Sequence, residues 1–220
     1  MERFFWATTW VIPVLLSLIL HETAHGWAAL WLGDKTALKA GRLSLNPLNH
    51  IDPVGTVLIP AVLFLSGSPF LVGWAKPVPV DFGALRYSKK GVGLVAFAGP
   101  FMNVVLAILS VLGLQLLAFL PPFSLCLWVF INFQNLLFFS LSIAAFNLLP
   151  VLPLDGGRIL TALLPDKWAR QYGATEKYGL PVLFMLLVAL PMLKIDIISP
   201  FVRVVGGFLK KIVQVFIFTR

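Results

Sequence analysis

The stretch His21-Glu22-Thr23-Ala24-His25 constrains this chain more than any other, because it lies inside an almost uninterrupted apolar run from Phe4 to Leu32. On an α-helix, imidazoles four residues apart share one face, about 6 Å apart in rise, and can chelate a single metal ion. Glu22 falls on the flank of that face, where it can act on water at the metal without being a ligand. Zinc suits the pattern. It accepts nitrogen and oxygen ligands in tetrahedral geometry, and a catalytic site takes three protein ligands and leaves the fourth position open. A charged side chain at the centre of a membrane helix costs on the order of 3 kcal/mol, which argues for function over accident. The structural alternative is a pair of histidines hydrogen-bonded to neighbouring helices. Two of the chain's three histidines lie in the motif.

Hydrophobic residues make up 59% of the 220 residues, only 12% are charged, and mean hydropathy is +0.93, which excludes an ordinary soluble domain. The expected fold class is an all-α polytopic membrane protein with about four to six transmembrane helices. No stretch is polar enough to form a separate soluble domain, so residues 1–220 read as one integral-membrane domain. Its core covers about 4–165, and C-terminal helices follow over about 178–220. The net charge of +8 is carried by short loops between apolar runs, the positive-inside pattern, so no nucleic-acid partner is implied. Cys126 is the single cysteine, which excludes an internal disulfide and a cysteine-only metal site. The N-terminal apolar segment is too long for a signal peptide and contains the motif, so it reads as retained.

The first span, Phe4 to Leu32, contains Pro13 and stops at Gly33-Asp34-Lys35. His25 lies eight residues before Gly33, about 12 Å inside that boundary. Residues 34–53 carry Lys35, Lys39 and Arg42 and read as cytosolic, which puts the motif near the cytosolic face of the cell membrane. His50 and Asp52 lie among prolines and read as loop-ordering or capping residues. Val54–Ala75 has basic residues on both flanks and reads as re-entrant, with a tilted full span as the alternative. Gly73-Trp74-Ala75-Lys76-Pro77-Val78-Pro79-Val80 reads either as an edge strand or as a plain loop. As an edge, Gly73, Trp74, Lys76, Pro77 and Val78 could bind an extended substrate segment by strand addition.

A span over about Gly91–Leu120 opens with Gly99-Pro100 and Asn103, and Asn103 reads as an interhelical hydrogen bonder. The next, about Ser124–Leu148, ends in a stretch broken by Pro150 and Pro153 and followed by Asp155-Gly156-Gly157. Asp155 could N-cap a short helix from Gly156 to Leu164. It could instead be the third metal ligand, and no other carboxylate has so apolar a setting; metal coordination is the reading taken here. A further span runs from Tyr178 to about Leu193. The tail from Pro200 has a basic face with Arg203 and Lys210, in the manner of an interfacial amphipathic helix or a final span.

These motifs together resemble the site-2 protease family of intramembrane zinc metalloproteases. The likeness rests on His21-Glu22-Thr23-Ala24-His25, on Gly99-Pro100 with Asn103, and on Asn147 with Leu154-Asp155-Gly156. Gly41-Arg42-Leu43-Ser44-Leu45-Asn46-Pro47, His50-Ile51-Asp52-Pro53 and Gly73-Trp74-Ala75-Lys76-Pro77-Val78 look like its compact prokaryotic branch. The resemblance covers roughly residues 7–165 and implies a three-helix catalytic core with Zn2+ held by His21, His25 and Asp155. It also implies Glu22 as general base and Asn147 as a contact to substrate backbone. The expected activity is hydrolysis of a peptide bond in or near the transmembrane segment of single-span membrane proteins. No PDZ-like insertion is present to gate substrate. The rivals are another membrane metalloprotease, such as a prenyl-protein endopeptidase, and a metal transporter or scaffold.

Overall fold

The computed structural model describes residues 2–58, 61–62, 75–119 and 124–217, and among them the fold is helical without strands. Helix α1 (Glu2–Trp31) carries the motif. Pro13 lies within it and has no N–H to give the carbonyl four residues earlier, on Thr9. Asn135 supplies the missing donor: its Nδ2 reaches Thr9 O at 3.0 Å. The helix closes as the sequence suggests. Gly33 adopts φ +102°, its N–H bonds Leu30 O at 3.0 Å, and Asp34 N bonds Ala29 O at 2.9 Å, a Schellman cap.

Asp34 then ties two loops together. Its carboxylate accepts the amide and hydroxyl of Thr36, ahead of the short helix α2 (Thr36–Lys39), and the amide of Asp81. Burial opposes its ionisation, but these donors outweigh that and hold the carboxyl below the usual carboxylate range. His50 is buried and its Nε2 lies 2.7 Å from Ser44 O, while Asp52 accepts from the amides of Val54 and Gly55. Both therefore order the loop, as their sequence setting suggests. Most of the segment expected to re-enter, together with Gly73 and Trp74, falls outside the described residues.

Helix α3 (Ser88–Leu117) and helix α4 (Ser124–Asn147) complete the core with α1. Polar groups stitch α1 to α4 where water is scarce. Ser17 and Ser140 hydroxyls meet at 2.8 Å, both fully buried, and Trp128 Nε1 donates to Thr8 Oγ1 at 3.1 Å. The chain then turns sharply at 148–154, and α5 (Asp155–Leu163) begins on Asp155 itself, with Leu154 in the N-cap position. The capping role considered for Asp155 is therefore not the one it plays.

Beyond α5 a helical stretch, Asp166–Met192, includes α6 (Asp166–Gly173) and α7 (Gly179–Phe184), so the span expected from Tyr178 is the latter half of a longer element. It is docked at its start, where Lys89 reaches Asp166 at 3.1 Å and Tyr172 Oη donates to Pro150 O at 2.8 Å. Helix α8 (Ile198–Gln214) buries Leu209 and Val213 against Ala107 and Val111 of α3 and Leu141, Ala144 and Ala145 of α4. One apolar face is thus covered by protein, while Val204 and Phe208 stay exposed together with Arg203 and Lys210.

Four helical stretches, Thr8–Trp31, Ser88–Leu117, Cys126–Asn147 and Asp166–Met192, are long and apolar enough to cross a membrane. The chain is a multi-pass membrane protein. Trp6 and Trp10 are exposed at one end of α1 and Trp27 and Trp31 at the other. The two pairs are centred 21 residues apart, about 31 Å of helix, which matches a bilayer's hydrocarbon thickness with an aromatic belt at each interface.

Candidate active site

Residues 21 and 25 occupy successive turns of α1 on the face turned to α3 and α5. Their Nε2 atoms stand 3.1 Å apart. Asp155, delivered by the first turn of α5, brings Oδ2 to 3.1 Å from His21 Nε2 and Oδ1 to 3.5 Å from His25 Nε2. The chain must break at Pro150 and Pro153 for this, since a continuous α4 would carry residue 155 away from α1. Gly156 also permits the tight return, because a Cβ there would collide with the carbonyls of Leu148 and Leu149.

The arrangement fits a metal ion on three grounds. His25 Nδ1 lies 2.7 Å from the carbonyl of Val95, which can only accept, so Nδ1 carries the proton and Nε2 presents a lone pair. Asp155 Oδ2 is buried and without a hydrogen-bond donor. Four-coordinate zinc with bonds of about 2.0–2.1 Å sets its donors roughly 3.3 Å apart, close to the separations seen here. Space for the rings comes from Gly99. A Cβ at that position would lie 2.5 Å from His25 Nε2 and 2.6 Å from His21 Nε2.

Glu22 lines the same cavity, about 430 Å³, and its Oε2 accepts the amide N–H of Val78 at 3.1 Å. The 75–80 stretch is a loop, without strand pairing among the described residues. Arg42 fixes it in place. Its guanidinium, nearly buried, donates to Asn49 O, to Lys76 O at 2.7 Å and to Pro77 O at 3.3 Å, and Lys76 N donates to His50 O at 2.9 Å. The sequence segment from Arg42 to His50 thereby builds the wall that faces Glu22.

Of the residues expected to meet substrate, Pro77, Val78 and Asn147 line the cavity. The Asn147 carboxamide donates to Ile143 O at 3.1 Å. Lys76 contributes backbone bonds, and its side chain is exposed and outside the cavity wall. The structure adds Val80, Phe82, Val95, Leu154 and Arg158 to the lining. Arg158 stacks 4.7 Å over Phe82 and pairs with Glu176 at 2.8 Å, forming a polar rim. A basic residue just past a broken helix was the available signal for Arg158, and Val80 ends the stretch already singled out as a possible edge; nothing local marked Phe82.

The sequence is similar to those of known proteins. The family model described as Peptidase family M50 matches residues 123–190, which include Asn147 and Asp155. The protein named "Putative zinc metalloprotease YwhC" of Bacillus subtilis is 37% identical over 187 residues, covering 83% of this chain and 80% of that one. The chain belongs to the site-2 protease family, peptidase family M50. "Putative zinc metalloprotease Rip2" of Mycolicibacterium smegmatis is 32% identical over 79% of this chain and 64% of its own length. "Zinc metalloprotease MJ0392" of Methanocaldococcus jannaschii is 23% identical over 74% of this chain and 36% of its own. No solved structure gives a significant match. As a member of this family the protein is a zinc metalloprotease, and its His21, His25 and Asp155 form the one group able to hold a metal ion among the described residues.

Proposed function

We propose that this metalloprotease is an intramembrane endopeptidase that cuts a peptide bond in or near the transmembrane segment of single-span membrane proteins, with its site towards the cytosolic side of the cell membrane. The observation that carries the reading is the convergence of His21, His25 and Asp155 beside Glu22, in one cavity framed by membrane-spanning helices. His21, His25 and Asp155 hold zinc, which supplies Lewis acidity towards a peptide carbonyl and towards water. Glu22 takes a proton from the attacking water and returns it to the leaving nitrogen; the Val78 amide keeps its carboxylate turned to the cavity.

A helical peptide bond has its carbonyl and amide engaged, so substrate must be locally unwound. Asn147 and the remaining backbone groups of Val78 and Val80, which line the cavity, would bind the freed carbonyl and amide. Water would enter past Phe82 and Arg158, which line the cavity together.

The test is cleavage of candidate single-span proteins by the reconstituted full chain, with Glu22→Gln as the decisive variant. Glu22→Gln retains zinc and loses cleavage by about 10²–10⁴-fold. Cleavage at the normal rate by Glu22→Gln would remove Glu22 as base. Hydrolysis confined to water-soluble peptides would overturn the intramembrane part of the proposal. A transporter or scaffold would keep its function in that variant.

A further inference from the structure

Asn103 of α3 is fully buried, and its Nδ2 lies 3.1 Å from Nδ1 of His21. In that arrangement Nδ1 accepts a hydrogen bond, so a neutral imidazole would carry its proton on Nε2, the atom that faces His25 and Asp155. A protonated Nε2 cannot bind a metal. The carboxamide oxygen of Asn103, meanwhile, is buried with no hydrogen-bond partner. A half-turn of the amide exchanges its oxygen and nitrogen and removes the conflict: Oδ1 then accepts Nδ1–H, and the Nε2 lone pair turns to the ion. His25 already shows the matching arrangement, with Val95 O at its Nδ1. Asn103 follows Val95 by eight residues on the same helix, a little over two turns, so α3 offers one acceptor to each ring.

We propose that Asn103 is a positioning residue of the metal centre, its carboxamide oxygen accepting Nδ1–H of His21 and committing Nε2 of that ring to zinc. This rests on the reading of His21, His25 and Asp155 as ligands and extends it to α3, a helix that carries none of them. It also gives the Gly99-Pro100…Asn103 segment a joint role. Gly99 makes room for the rings, and Asn103 sets the orientation of one of them.

The experiment compares zinc affinity of the purified full-length wild type, Asn103→Leu and Asn103→Asp by competition with a chromophoric chelator, with helix content recorded by circular dichroism. Asn103→Leu keeps the bulk and loses the acceptor, so affinity falls about 10–100-fold, the usual cost of removing an outer-sphere partner. Asn103→Asp restores an acceptor of the same length and keeps affinity within a few-fold of wild type. The cobalt-loaded forms report geometry separately: Asn103→Asp gives the wild-type ligand-field spectrum and Asn103→Leu an altered one. Unchanged affinity in Asn103→Leu, or an equal loss in both variants, overturns the inference and leaves the ligand assignment standing. A wild type that binds no zinc overturns the ligand assignment and this inference with it.

Discussion

At the scale of single residues, the motif of α1 could be read because everything it needs is local. Helical periodicity alone puts His21 and His25 on one face with Glu22 beside them. The partners of those residues could not be read so, because they depend on how α3 and α5 are set against α1. Asn103 was legible as a hydrogen bonder between helices, and only packing reveals that its partner is His21 of the candidate metal group. Asp155 was legible as an oddly placed carboxylate. It does not cap α5, because that helix starts one residue earlier than expected, at Asp155 rather than Gly156. Gly99 is where a single atom matters most. Its Cβ would sit 2.5 Å from His25 Nε2, so Gly99→Ala forces the imidazoles aside. The expected outcome is a loss of about 1–3 kcal/mol of stability, readable as a lower denaturation midpoint, together with weakened zinc binding. Wild-type affinity in Gly99→Ala would mean that the rings have slack which the structure does not show.

At the scale of elements, proline placement explains both continuity and rupture. Pro13 leaves α1 intact because Asn135 of α4 takes over the orphaned carbonyl of Thr9. Pro150 and Pro153, two within a short stretch, end α4 and let the chain fold back to deliver Asp155. The compensation at Pro13 can be measured. Asn135→Leu should destabilise the protein by roughly 1–2 kcal/mol, the size of an interhelical hydrogen bond in a membrane. The loss should be smaller in a Pro13→Ala background, where the substituted residue supplies its own N–H to Thr9 O. A double-mutant cycle in mild detergent reads the difference. A coupling energy of zero would detach Asn135 from Pro13. The 75–80 loop was the least legible element. Its prolines and alternating side chains suit an edge strand as well as a loop, and what decides it is remote: Arg42, His50 and Glu22 occupy its backbone groups from three directions.

At the scale of the whole molecule, apolar composition and basic loops were sufficient to give a multi-pass helical membrane protein, since a bilayer permits few alternatives. The order in which helices pack, and the burial of one face of α8 on α3 and α4, could not be had from hydropathy. The tryptophan pairs on α1 set the depth of the site. His25 lies six residues before Trp31, about 9 Å of helix, which on the proposed reading puts the cavity inside the bilayer close to one interface. Single cysteines introduced into 34–53 or 81–90, in a background with Cys126 replaced, should react with an impermeant thiol reagent in inverted vesicles and not in intact cells. Labelling in intact cells would place the site towards the opposite side.

The chemistry requires that two residues of α1 and one of α5 grip the same ion. Zinc titration of the full chain and of Asp155→Ala, each purified in detergent and stripped with chelator, tests this most directly. Wild type should take up one zinc per chain, and Asp155→Ala should bind it more weakly by more than the roughly 10–100-fold that loss of an outer-sphere partner costs. Equal stoichiometry and affinity in the two proteins would contradict it.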